Sequence, residues 1–147
     1  MDVMQAVEER FSVRAFEERE IEPDKLERVM EAARLAPSAS NRQEWRFVLV
    51  RDEQTRAKLA DAALGQKFVG EAPAVIVACA AAVEDVMPCG LHCYPIDVAI
   101  AMSYITLAAT AEGLGTCWIG AFDADKTREL LDIPSEVVVV GLLPIGY

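Results

Sequence analysis

Gly113-Leu114-Gly115-Thr116-Cys117-Trp118-Ile119-Gly120-Ala121-Phe122-Asp123 separates two architectures that the rest of the chain leaves open. A Gly-x-Gly pair that follows a strand and opens a helix is the phosphate-binding turn of a doubly wound nucleotide fold. Here the order is reversed. Gly113 and Gly115 close a long helical pattern, as glycine commonly does, and a short strand over Thr116–Ile119 follows them. The strand ends at Gly120, and Asp123 caps the next helix. Glycine at 120 lets a backbone N–H face a ligand at close range. Trp118 either covers a ring or packs in the core.

Working outward, the spacing of apolar residues predicts a helix over Asp2–Arg10, an irregular stretch to Ile21, and an amphipathic helix over Asp24–Ala36 with Pro23 at its start. Trp45–Val50 reads as a strand, Asp52–Leu64 as a helix capped by Asp52, and Val75–Ala80 as a buried strand. Asp97–Glu112 is apolar nearly all round, the pattern of a helix buried on most faces. Asp123–Leu131 and Glu136–Leu143 supply a last helix and strand. Alternating helices and strands normally indicate a parallel sheet. Yet no GxGxxG follows a strand, and no GxxxxGK[ST] occurs.

The 147 residues suit one domain spanning 1–147, and 53% hydrophobic content supplies a core rather than a disordered chain. The richest apolar run, Ala72–Val83, is too short to span a bilayer, and the acidic N-terminus does not resemble a signal peptide. A soluble cytoplasmic protein is expected, without a membrane partner. A net charge of −10 argues against generic nucleic-acid binding, because no basic surplus exists to neutralise phosphates.

Against that acidity, Arg10-Phe11-Ser12-Val13-Arg14 stands out. In an extended chain, period two places Arg10, Ser12 and Arg14 on one side, where guanidinium forks and a hydroxyl suit phosphate oxygens. The competing reading is two surface arginines paired with nearby glutamates. A second stretch, Ala36-Pro37-Ser38-Ala39-Ser40-Asn41-Arg42-Gln43-Glu44-Trp45, runs from a helix end through small polar residues into a strand. Small residues admit a flat ligand, and Ser40, Asn41 and Gln43 both donate and accept; an ordinary polar turn has the same composition. Of the four cysteines, Cys79 and Cys117 fall on predicted core strands, where a buried thiol is a packing residue. Cys89 and Cys93 flank His92 but offer fewer ligands than zinc takes, and no metal is expected. Asp97 reads as the cap of its helix.

These three stretches in this order, together with the ending FDADKTRELLDIPSEVVVVGLLPIGY, resemble the compact members of the nitroreductase family over almost the whole chain. The resemblance implies an α+β fold, a central mixed or antiparallel sheet flanked by helices, in an intertwined homodimer with FMN at the interface. It implies that Arg10, Ser12 and Arg14 hold the FMN phosphate and ribityl chain. Pro37, Ser38, Ala39, Ser40 and Asn41, with Gln43, would approach the isoalloxazine from the partner subunit. Ile119 and Gly120 would bring backbone to the flavin N5 and O4 edge. The implied activity is a ping-pong transfer of hydride from NAD(P)H to nitroaromatics, quinones or similar flat acceptors, with no acid, base or nucleophile from the protein. A dimeric flavin-binding protein with little turnover is the alternative. Two departures are visible. Glu44 stands where many relatives have proline, a change expected to be tolerated. The chain ends at Pro144-Ile145-Gly146-Tyr147, where relatives usually continue into a tail that adds a basic residue. Weaker FMN binding, a looser dimer and an exposed edge on the last strand are expected from this.

Overall fold

The computed structural model describes residues 1–147. In chain order it contains α1 (Val3–Glu9), α2 (Pro23–Arg34), β1 (Trp45–Val50), α3 (Glu53–Ala62), α4 (Lys67–Glu71), β2 (Ala74–Ala80), α5 (Cys93–Ala111), β3 (Gly115–Thr116), α6 (Ala124–Leu130) and β4 (Val138–Gly146), with a 3-10 turn at Ala39–Asn41. The strands form one sheet in the order β1-β2-β4-β3, and every strand pair is antiparallel. A single parallel bridge, Ser12 to Thr116, attaches the segment after α1 to β3.

β2 lies between β1 and β4 and is buried along its whole length. Its alternating side chains feed two cores, as the two-residue period of a strand requires. Ala74, Ile76, Ala78 and Ala80 join Leu26 and Val29 of α2 and Val98, Met102 and Ile105 of α5. Val75, Val77 and Cys79 join Leu59 of α3 and Val69 of α4 on the other face. Helices therefore cover both faces of the sheet, which explains why β2 is a continuous apolar run.

Local sequence fixes several helix starts. Asp2 and Gln5 form a reciprocal capping box on α1. Asp52 accepts the Thr55 amide at 2.8 Å, and Asp123 accepts the Lys126 amide at 3.0 Å. Gly113, at φ +75°, ends α5 in the left-handed conformation that glycine adopts without strain.

The structure corrects some sequence boundaries. The five-residue helix α4 has too short a pattern to register as periodic. α5 begins at Cys93, because Pro95 sits in its first turn, where a missing N–H costs nothing. Asp97 therefore lies inside the helix, and His92 is the cap position. Gly115 belongs to β3 rather than to the helix end. β3 stops at Thr116, and Ile119 forms an isolated bridge to Leu142. β4 extends to Gly146 and pairs on both sides, so the last strand is no edge; β1 and β3 are the edges.

α5 is long and apolar enough to cross a membrane by length and composition alone. Its residues Val98, Ala101, Met102, Ile105 and Ala109 are fully buried in the protein, making it the core helix. α1 rests on α5 but buries only Ala6, while Val3, Met4, Val7 and nearby Phe11 are 48–74% exposed. At the other end of the chain, the Tyr147 hydroxyl donates to Glu22 and accepts from Lys25 Nζ at 2.7 Å. The Arg19 guanidinium lies 3.7 Å over its ring.

Candidate functional site

The segment after α1 is extended, as its alternation suggested. Val13 turns inward and its amide donates to Thr116 O at 2.9 Å, while Ser12 and Arg14 remain exposed. Gly115 makes this docking possible, because a Cβ at that position would stand 2.4 Å from Val13 Cγ2. Phe11 does not alternate inward; it is 68% exposed and extends the apolar face of α1. Neither Arg10 nor Arg14 forms an ion pair, although Glu8 and Glu9 are close in sequence. The reading of two arginines spent on neighbouring glutamates is therefore not what the fold shows.

Arg10 and Ser12 line a cleft of about 330 Å³ with Ser103 and Thr106 of α5, Thr116 of β3, and Trp118. Arg14 lies outside its lining. Ser103 and Thr106 were not singled out by the sequence reading. Their signal was two hydroxyls three residues apart on an otherwise apolar helix, which places them on one face. Trp118 is 41% exposed, so it is a wall of this cleft rather than a core residue.

Beyond Trp118, the two residues of the predicted backbone edge differ. Ile119 is buried, its amide donates to Leu142 O at 2.8 Å, and its carbonyl accepts the Leu142 amide at 3.1 Å. Gly120 is exposed, and a Cβ there would meet nothing within 4 Å. Its N–H has no backbone acceptor. Gly120 is thus the free donor of the pair, and Ile119 anchors it to the sheet.

The polar loop is held in an uncommon conformation. Ser40, Asn41 and Gln43 have φ of 50°, 52° and 54°. Asparagine tolerates this region, but each of the other two costs about 1 kcal/mol or more. Local bonds compensate. Ser38 Oγ accepts the Gln43 amide at 3.0 Å, Gln43 Nε2 donates to Asn41 Oδ1 at 3.0 Å, and Arg42 pairs with Asp85 at 2.7 Å. Asp97, from within α5, accepts the Ala39 amide on Oδ1 at 3.1 Å. Asp97 therefore holds this loop instead of capping its own helix. Pro37, Ser40, Asn41 and Gln43 are exposed, and Ser38 and Ala39 are half-buried.

The loop does not line the Arg10–Ser12 cleft. Asp97, which holds it, lies nine residues before Thr106, or about 13 Å along the helix axis. One protomer thus presents two separate polar features: a hydroxyl-lined cleft with Arg10 near the C-terminal half of α5 and a polar loop near its N-terminal end. The cleft alone is at the small end of ligand pockets. The largest cavity, about 790 Å³, lies elsewhere, between the Phe16–Ile21 segment and α3. Its Arg56 is committed to the carbonyls of Gly70 and Ala72, and its Arg51 faces Glu20. No unpaired guanidinium marks it as an anion site.

All four cysteines are free. Burial pushes the Cys79 thiol up to about 11 and raises that of Cys93, so both behave as packing residues rather than nucleophiles. Cys89 alone is exposed.

An antiparallel sheet covered by helices on both faces defines an α+β protein, with a cleft lined by Arg10 and hydroxyls toward one end of its buried apolar helix and a strained polar loop toward the other. A model of the Nitroreductase family matches residues 7–94 and 63–147, and the chain belongs to that family. A nitroreductase family protein of Clostridium novyi NT superimposes with a TM-score of 0.94 at 37% identity, covering 99% of this chain and 84% of its own. An FMN-dependent nitroreductase of Clostridium difficile R20291 gives a TM-score of 0.86 at 31% identity, with 98% and 86% covered. A protein of Archaeoglobus fulgidus with the provisional name NADH dehydrogenase/NAD(P)H nitroreductase is 34% identical over 142 residues, 94% of this chain and 80% of its own.

Proposed function

We propose that this chain is an NAD(P)H-dependent FMN oxidoreductase, working in the cytoplasm as a homodimer, that reduces nitroaromatics, quinones or similar flat acceptors. The observation that carries this reading is the unpaired guanidinium of Arg10 in a hydroxyl-lined cleft of an otherwise acidic chain, with a second unpaired guanidinium, Arg14, on the same extended segment. A phosphate there would gain charge-assisted hydrogen bonds from groups that no carboxylate occupies. The residues present fit FMN, which is the phosphate-bearing flavin of the similar Clostridium difficile protein.

In this account Arg10, Ser12 and Arg14 hold the phosphate and ribityl chain. The free Gly120 N–H offers a donor to the edge of the ring, and Ile119 fixes its position. Pro37, Ser38, Ala39, Ser40 and Asn41, with Gln43, cover the ring from the partner subunit. When bound, FMN supplies the redox chemistry, accepting hydride from NAD(P)H and passing it to the acceptor in a ping-pong cycle. The chain's own part is to bind, orient and exclude water. Its one histidine, His92, is engaged through Nδ1 with Val83 O at 3.1 Å.

Two features support a second copy. The polar loop does not line the cleft within one protomer, and the cleft alone is at the small end of ligand pockets, which fits a site completed by a second copy. The exposed residues Val3, Met4, Val7 and Phe11 form an apolar surface beside α5, the kind of patch that protein association buries. Steady-state kinetics with NADH and a quinone varied together test the cycle. Parallel double-reciprocal lines are expected; converging lines would contradict alternating occupation of one face.

A further inference from the structure

Glu44 and Asp97 are two carboxyl groups buried side by side. Glu44 is 5% exposed and Asp97 3%. Glu44 Oε1 and Asp97 Oδ2 have no hydrogen-bond partner, and Asp97 is near enough for a hydrogen-bonding contact that would raise the Glu44 carboxyl. Two carboxylates cannot make that contact, because both only accept. Nor does a nearby cation neutralise them. The charged and titratable groups facing Glu44 are Asp97 and the Cys93 thiol on α5, Asp85 after β2, and Arg42 in the loop. Arg42 is already paired with Asp85 at 2.7 Å. Buried like charges in contact favour one shared proton over two ionised groups.

We propose that Glu44 is a positioning residue whose carboxyl group keeps its proton and donates it to Asp97, which in turn holds the Ala39 amide and the strained loop. The inference rests on the reading above only where it makes that loop part of the flavin site. Burial, followed by the charge of Asp97 and the hydrogen bond to it, raises the Glu44 carboxyl above the ordinary carboxylate range. When Glu44 loses its proton to water, Asp97 loses its donor and faces a second buried negative charge. The Asp97–Ala39 bond then weakens, and Ser40, Asn41 and Gln43 are freed from left-handed geometry. A proline at position 44 would have no such proton. Flavin affinity in this chain therefore falls as pH rises through the Glu44 titration.

Two measurements on the intact chain test this. The first follows the Ala39 backbone amide by NMR without flavin, from about pH 4 to about pH 9. It is expected to titrate above the ordinary carboxylate range in the unmodified protein. In Glu44→Gln, which keeps an N–H donor for Asp97 but cannot ionise, it is expected to stay level. The same amide titration in both proteins would overturn the proposal, as would no titration in either. The second measures FMN affinity over the same range. A fall on the order of tenfold is expected for the unmodified chain, with Glu44→Gln holding the low-pH affinity throughout. The predicted amide behaviour with level FMN affinity in both proteins would uphold the carboxyl pair and overturn the flavin-facing reading of the loop.

Discussion

Gly115 and Val13 are packed so closely that one methyl group on Gly115 would stand 2.4 Å from Val13 Cγ2. This contact holds the Arg10–Arg14 segment against β3. Gly115→Ala must push Val13 away and strain its 2.9 Å amide bond to Thr116. A loss of about 1–3 kcal/mol is expected from such overpacking, together with weaker FMN binding. Thermal unfolding and flavin titration of the same variant check both, and unchanged FMN affinity would separate the segment from the site.

Arg10 and Arg14 are expected to act through phosphate. Arg14→Ala should lose about 1.5–3 kcal/mol of FMN binding, the range for hydrogen bonds to charged groups, and Arg10→Ala a comparable amount. Riboflavin, which lacks the phosphate, is the control. Its affinity should fall much less than that of FMN in both variants. Equal losses for FMN and riboflavin would place the arginines elsewhere.

The apolar face of α1 is expected to be an interface. Val7 is 48% exposed and Met4 62%, so Val7→Glu should leave the protomer folded but bury a charge in any dimer. Sedimentation should show a shift toward monomer, and flavin affinity should fall with it because each half-site lacks its complement. A Val7→Glu protein that remains dimeric would rule out this face.

Acid pH should expose the clamp at the end of the chain. Hydrogen bonding from Tyr147 is the largest cause holding the Glu22 carboxyl at about 2. A depressed carboxyl favours the folded state above its unfolded value and loses that contribution as pH falls. Tyr147→Phe should therefore lower the melting temperature at neutral pH, by a small margin because Glu22 is partly exposed and water screens the interaction. The difference should close as pH falls from about 4.5 toward 2. A gap independent of pH would mean that packing, not the Glu22 bond, is responsible.

Much of this arrangement is legible along the chain, and the limits have physical causes. Trp45–Val50 is a strand in sequence and in space because its β-branched and aromatic run is bounded by turn residues. Asp52 and Asp123 act as caps because capping is local. Arg10 and Ser12 stood out against the acidity of the chain, and they do share a cleft. Asp97 was misread because its partner, Ala39, lies 58 residues away and no local pattern signals the bond. Glu44 looked like a tolerated exchange for the same reason, since its burial against Asp97 exists only after α5 packs under the loop. The predicted last strand stops at Leu143, one residue before Pro144. The Pro144 carbonyl still accepts from Cys117 at 3.3 Å, so the strand continues through it.

The most direct test of the central claim is an absorbance spectrum of the purified chain reconstituted with FMN, followed on adding NADH without oxygen and then a quinone. The account predicts a bound-flavin band that bleaches with NADH, or with NADPH, and recovers with the quinone. A bound flavin that neither reductant bleaches would contradict the oxidoreductase reading and leave a flavin-binding protein with little turnover.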